Sequence, residues 1–132
     1  MDSYLNKIED LSNDVGNLLE FNSKLIDALN TSTEGIAILD ADGNYVWLNK
    51  AHEKMFGYDH KELIGKSWTV LYNEEDLEYF AENVFPVIAR DGKWNGKATA
   101  IQKDKTTKVE EMLFLTALEN GGLICTCIDI TE

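Results

Sequence analysis

Apolar and polar positions along the chain follow three successive rhythms. From residue 4 to 29 the apolar residues Leu5, Ile8, Leu11, Val15, Leu18, Leu19, Leu25, Ile26 and Leu29 recur at helical spacing among acids, lysines and asparagines. A heptad frame places Leu5, Ser12, Leu19 and Ile26 in one column and Ile8, Val15, Asn22 and Leu29 in the other, so six of eight seam positions are aliphatic. Gly16 costs about 1 kcal/mol relative to alanine in such a helix. Two readings fit this pattern: a dimerising coiled coil, or an amphipathic helix folded onto its own sheet. The polar run Asn30-Thr31-Ser32-Thr33 ends it.

The second rhythm is short and alternating. Ile36–Leu39 and Tyr45–Leu48 read as strands joined by the turn Ala41-Asp42-Gly43. Asn49 suits a helix N-cap and Gly57 the position past the helix end, leaving about two turns between them. Asp59 with Glu62 three residues on predicts a second capped helix closing at Leu63-Ile64-Gly65. Asn73 followed by Glu74, Glu75 and Asp76 starts a longer one, with Leu77, Phe80, Ala81, Val84 and Ile88 on one face. Pro86 removes an amide donor and clashes with the preceding turn, so this helix is expected to end near Phe85 rather than continue through a hinge.

The third rhythm is all strand. Trp94–Gln102, Lys108–Leu118 and Leu123–Ile130 are separated by the polar loop 103–107 and by Glu119-Asn120-Gly121-Gly122. Several strands are apolar on both faces, so each side of the sheet needs a cover. The short helices supply the inner cover, and the N-terminal helix or a second subunit the outer one. The expected architecture is α+β: a five-stranded antiparallel sheet with short helices on one face, preceded by an N-terminal amphipathic helix. Residues 1–30 form that helix and 31–132 the domain.

Two segments carry a family resemblance. Gly35 to Tyr58, with its strand, Asp42-Gly43 turn, second strand, Asn49-x-Ala51 helix and Phe56-Gly57-Tyr58, resembles the opening of a PAS domain, a sensory module of signalling proteins. Gly121 to Glu132, ending Asp129-Ile130-Thr131-Glu132, resembles the family's last strand and terminal signature. The resemblance implies a non-enzymatic sensor module of a signal-transduction protein, a sensor histidine kinase or a diguanylate cyclase. It also implies that Asp129 and Thr131 relay a conformational change to a following helix and effector domain. Because the family continues there, the chain reads as cut from a longer protein. The alternatives are a ligand-free dimerisation or relay module working through the N-terminal helix, and a haem or flavin sensor.

Composition narrows the partners. A formal charge of -12 repels phosphate backbones and anionic lipid heads, which argues against nucleic-acid or membrane-surface binding. At 132 residues, 44% of them hydrophobic, the chain has the make-up of one folded domain plus an appended element. No apolar run approaches the roughly 20 residues that span a bilayer, and no signal peptide opens the chain, so a cytoplasmic location is expected. The expected partners are a second copy through the N-terminal helix, a downstream kinase or cyclase domain, and a small molecule.

Candidate chemistry is sparse. Gly-x-Ser-x-Gly, Walker-type and His-Glu-x-x-His motifs are absent. Glu74, Glu75 and Asp76 are explained by their place at a helix start. Cys125 and Cys127 share one face of a strand and read as buried reduced thiols, not a disulfide or zinc site. Flavin photosensors of the family carry an Asn-Cys-Arg-Phe motif where this chain has Gly65-Lys66-Ser67-Trp68-Thr69-Val70-Leu71 without cysteine. Haem-binding members use a histidine on the long helix, and residues 74–90 hold none; His52 and His60 read as surface residues. The cysteine of coumaroyl-binding members also has no counterpart, so no cofactor is predicted. A pocket between sheet and helices remains, with Ile38, Met55, Phe56, Leu63, Trp68, Phe80, Val84, Met112, Phe114, Cys125 and Cys127 as candidate lining. Arg90 is the only arginine and the lysines are scattered, which favours a neutral or apolar ligand over a carboxylate.

Overall fold

The computed structural model describes residues 2–131; Met1 and Glu132, the last residue of the terminal signature, lie outside the described residues. It divides into two compact units, residues 1–31 and 32–132.

The first unit is one helix, α1 (Asp2–Thr31). Its seam residues Leu5, Ile8, Val15, Leu19 and Ile26 are exposed, and Glu20 and Lys24 pair across one turn on its surface. At its end the Thr31 hydroxyl donates to the Ala28 carbonyl at 2.7 Å.

The second unit contains β1 (Gly35–Leu39), β2 (Tyr45–Leu48), α2 (Lys50–Phe56), α3 (His60–Leu63), a 3-10 turn (Trp68–Leu71), α4 (Glu74–Tyr79), a π-helical turn (Phe80–Val84), α5 (Phe85–Asp91), β3 (Lys93–Ile101), β4 (Lys108–Ala117) and β5 (Leu123–Asp129). The strands form one antiparallel sheet in the order β2-β1-β5-β4-β3, so the last strand lies between the opening hairpin and the closing pair.

Local chemistry places the starts of α2, α3 and α4. Asn49, fully buried, accepts from the amides of His52 at 3.1 Å and Ile36 at 2.8 Å, and donates to the Glu34 carbonyl at 3.0 Å. One side chain thus caps α2 and ties it to β1. Asp59 and Glu62 form the capping box of α3, and Asn73 caps α4 through the Asp76 amide at 3.0 Å. In the β1–β2 turn Gly43 has φ +81°, and a Cβ there would lie 2.9 Å from the Trp68 ring. The turn therefore needs glycine both for its backbone and for the close approach of Trp68.

Pro86 acts differently from the expectation. The helix does not stop at Phe85; it passes through the π turn, in which the Phe85 amide donates to the Phe80 carbonyl five residues back, and resumes with Pro86 in the first turn of α5. The wider turn shifts the ladder where proline would otherwise leave a gap and a clash. Phe80 and Phe85, at the two ends of this turn, both face inward over the sheet.

The core lies between the helical layer and one face of the sheet, with Ala37, Leu39, Leu48, Phe56, Leu63, Leu71, Phe80, Val84, Leu113 and Leu115 all buried. Ile36, Ile38, Met112, Phe114, Ile124 and Ile128 occupy the opposite face, and Phe114 is 39% exposed there.

Candidate functional site

The strands fix which side chains look inward. Along β4, Val109, Glu111, Leu113 and Leu115 are buried while Lys108, Glu110, Phe114 and Thr116 are exposed, the period-two alternation of a pleated strand. On β1 the buried positions are Ala37 and Leu39. On β5, Cys125 and Cys127 share the inner face with them, since Ala37 pairs with Cys125 and Leu113 with Cys127.

Between these residues and the helical layer is a narrow cavity of about 30 Å³ of free volume, room for one or two water-sized molecules. Trp68, Leu71 and Tyr72 close one side, Phe80 and Phe85 another, and Leu113, Leu115, Leu123, Cys125 and Cys127 form the floor. The rings interlock: Trp68 lies 5.1 Å from Phe80 and 5.5 Å from Phe85, and Tyr72 4.9 Å from Phe80. These are edge-on and tilted contacts of favourable geometry.

Of the eleven side chains expected to line a pocket, the structure brings Trp68, Phe80, Cys125 and Cys127 to this cavity. Met55, Phe56, Leu63 and Val84 are buried in the surrounding core without lining it. Ile38, Met112 and Phe114 sit on the opposite face of the sheet, one residue out of phase with the inner positions Leu39, Leu113 and Leu115. A shift of one residue along a strand exchanges its faces.

The cavity's polar members include several that sequence reasoning missed. His52 is not a surface residue: it is 1% exposed, lies between the rings of Tyr45 at 5.5 Å and Phe56 at 4.6 Å, and its Nδ1 has no hydrogen-bond partner. Burial lowers its pKa from 6.5 to about 4, so the imidazole is neutral near pH 7. A neutral ring still needs a partner for each nitrogen, and the orphaned Nδ1 belongs to a residue of the cavity wall.

Behind Tyr72 and Cys127 stands Glu111, fully buried on β4. The Tyr72 hydroxyl donates to both carboxylate oxygens, at 3.3 and 3.2 Å, and the Cys127 thiol to the same carboxylate. Burial pushes Glu111 up from 4.5 to about 7, while those two donors hold it down and the charge of Asp129 adds to the rise. Burial also raises Cys125 to about 12 and holds Cys127 well above its ordinary range. Both remain thiols and neither is a ready nucleophile.

At the exit of β5 the Asp129 carboxylate accepts from the Thr131 amide at 2.9 Å. The Thr131 hydroxyl oxygen accepts from the Glu110 amide at 2.9 Å, and the Ile130 amide donates to the Glu110 carbonyl at 2.9 Å. Thr131 and Ile130 thus lash the end of the strand to β4, Asp129 holds the Thr131 amide, and Glu111 is the register partner of Asp129. Among the described residues no cluster of metal-binding side chains occurs, and no helix is long and apolar enough to cross a membrane.

Known proteins share this fold. The PAS domain from a Colwellia psychrerythraea protein superposes with a TM-score of 0.75 at 24% identity, over 86% of this chain and 98% of that one. A domain of a sensory box sensor histidine kinase/response regulator from Geobacter sulfurreducens matches at 25% identity and a TM-score of 0.69, over 84% and 96% of the two chains. The PAS domain of a LuxR-family transcriptional regulator from Burkholderia thailandensis, solved in complex with ethanol, shows the same fold at 18% identity and a TM-score of 0.71, over 80% and 96%. The family model for the PAS domain matches residues 33–132. With its five-stranded sheet, its capped helices and this match across most of its length, the chain belongs to the PAS domain family, the sensory modules of signalling proteins.

Proposed function

We propose that this chain is the non-enzymatic sensing module of a signal-transduction protein of the sensor histidine kinase type. In this reading its cavity takes a small neutral molecule and the Asp129-Ile130-Thr131 segment passes the change onward. The observation that carries it is a mostly apolar cavity whose wall includes a buried neutral histidine, His52, with an orphaned Nδ1. Such a site favours a ligand with an apolar body and one hydrogen-bonding group, and it penalises an ion, which would lose its hydration without a counter-charge. The ethanol complex of the Burkholderia domain suggests a small probe with an apolar body and one hydroxyl. A ligand biases the output only by the difference between its affinities for the two states, and a difference of about 1 to 3 kcal/mol suffices.

Titration of the full chain with ethanol and with propanol, followed through the methyl resonances of Leu113 and Leu115 and the amide of Cys127, tests the reading. Saturable shifts at these residues, lost in His52→Phe, are expected. Shifts that rise linearly and spread over the surface would refute it. An absorption spectrum of freshly purified protein checks for a retained haem or flavin in the same experiment.

The exposed heptad seam of α1 supports a second copy of this chain as partner. Placing aspartate at both Leu19 and Ile26 in the full chain is expected to convert a dimer to a monomer in sedimentation equilibrium. An unchanged mass would show that the seam is not the interface.

A further inference from the structure

The terminal turn and the cavity meet at one residue. Glu111 faces inward from β4, directly opposite Asp129 of β5, and the neighbouring Glu110 is the residue whose amide and carbonyl are held by Thr131 and Ile130. Its carboxyl group reaches Tyr72 from the helical layer and Cys127 from β5, both of which line the cavity. Three parts of the domain, namely the aromatic wall, the sheet floor and the exit turn, thus converge on a single buried acid.

A buried carboxylate has about four lone-pair sites to satisfy. Tyr72 and Cys127 supply two donors, and the Tyr72 bonds at 3.3 and 3.2 Å are long for a hydroxyl on a charged oxygen. Protonated, the carboxyl needs fewer donors and can itself donate to the Tyr72 oxygen. The two charge states therefore ask for different positions of Tyr72, whose ring packs on Trp68 and Phe80 in the cavity wall.

The remaining titratable neighbours do not compensate the charge. Asp129 on β5 is acidic and repels it, Cys125 and Cys127 are neutral thiols, and Tyr45 on β2 stays a neutral phenol because burial raises its pKa. On β3 the residue paired with Glu111 is Ala98. No cation stands among the groups that act on Glu111 within the described residues.

We propose that Glu111 is a proton-operated coupling residue: gain or loss of one proton from its carboxyl resets Tyr72 in the cavity wall and, through Glu110 and Asp129, the hydrogen-bonded turn at Thr131. The proton exchanges with bulk water and no other group changes its bonding order. This inference extends the relay in the sensor reading, yet it needs no ligand and is tested without one.

The experiment is a pH titration of the ligand-free full chain, carbon-13 and nitrogen-15 labelled, from pH 5.5 to 8.5. It follows the Glu111 carboxyl carbon, the Tyr72 ring, and the Glu110, Ile130 and Thr131 amides. One common midpoint near neutrality is expected for all of them, with the exit-turn shifts abolished in Glu111→Gln. Tyr72→Phe removes a donor to the carboxylate and is expected to move the midpoint upward. A Glu111 carboxyl that keeps one charge state across this range overturns the proposal, as does one that titrates while the Thr131 amide stays still. Should Glu111→Gln not fold, the wild-type midpoints and the Tyr72→Phe shift still decide. Failure here leaves the alcohol titration free to succeed, and the reverse holds equally.

Discussion

Two buried titratable side chains, shifted in opposite directions, make the pH dependence of stability a sharp test. Glu111 has an ordinary pKa of 4.5 and about 7 in the folded protein, while His52 goes from 6.5 to about 4. Between pH 4.5 and 6.5 the folded state holds its proton on Glu111 and the unfolded state holds one on His52. The proton counts are equal, so the two contributions cancel and these residues leave stability nearly flat in this window. Each variant exposes the other slope. In the wild type, Glu111 makes the folded state bind the extra proton, so its contribution falls as pH rises from 4.5 to 7. Each pH unit is worth about 1.4 kcal/mol, which makes the full loss about 3 kcal/mol. Glu111→Gln removes that loss, and the variant is expected to gain about 3 kcal/mol relative to wild type across the window. His52 has the opposite sign: its contribution is complete above pH 6.5 and is lost as pH falls toward 4. His52→Gln is therefore expected to gain by a similar amount relative to wild type on acidification. Urea denaturation at half-unit steps from pH 4 to 8 measures both differences, with the m-value checked for constancy. A Glu111→Gln difference that stays the same at every pH would show that the folded protein holds Glu111 in its ordinary ionised form, and the reasoning would fail.

Substitutions at four further positions probe how the site is held. Asn49→Ala removes a cap and orphans the Ile36 amide and Glu34 carbonyl, an expected loss of roughly 3 kcal/mol in thermal or urea unfolding. Asn49→Asp keeps the acceptor and loses the donor, so it should fall between wild type and alanine; equal losses in both would argue against the Glu34 bond. Leu113→Ala is expected to cost about 3 kcal/mol and Met112→Ala about 1, since only the first empties a core site. The reverse order would invert the assigned faces of β4. Gly43→Ala forces a side chain into a φ +81° position against Trp68 and should cost about 1 to 2 kcal/mol with a shift in Trp68 emission. An unshifted spectrum with full stability would place Trp68 away from the turn.

What could be read from the chain, and what could not, follows from the range of the interactions involved. Asn49, Gly57, the Asp59–Glu62 box and Asn73 act within a few residues of themselves, and each stands in the structure where its local chemistry puts it. The π turn at Phe80–Val84 depends on the same local ladder, but Pro86 signals only that the ladder is disturbed. Whether the helix ends or widens is decided by what Phe80 and Phe85 can pack on, here Trp68 and Trp94. The strand faces are harder to read because both are apolar, so Ile38, Met112 and Phe114 fit a pocket lining as well as Leu39, Leu113 and Leu115 do. The better signal on β4 was the company each phase keeps: Lys108, Glu110 and Thr116 share a face with Met112 and Phe114, whereas Glu111 is the single polar member of the other. On β1 small residues mark the inner face, because a Cβ on Gly35 would lie 3.3 Å from the Cα of His52 in α2. Large residues there would push α2 off the sheet and open the layer that buries His52. Glu111 was hidden by the same logic, since one of two adjacent glutamates on a strand must face inward, and only the tertiary partners Tyr72 and Cys127 make that position tolerable. The residues that give this domain its chemical character are therefore those that break the pattern by which its fold was recognised. A polar side chain on an inner phase is better treated as a candidate site than as noise in the alternation.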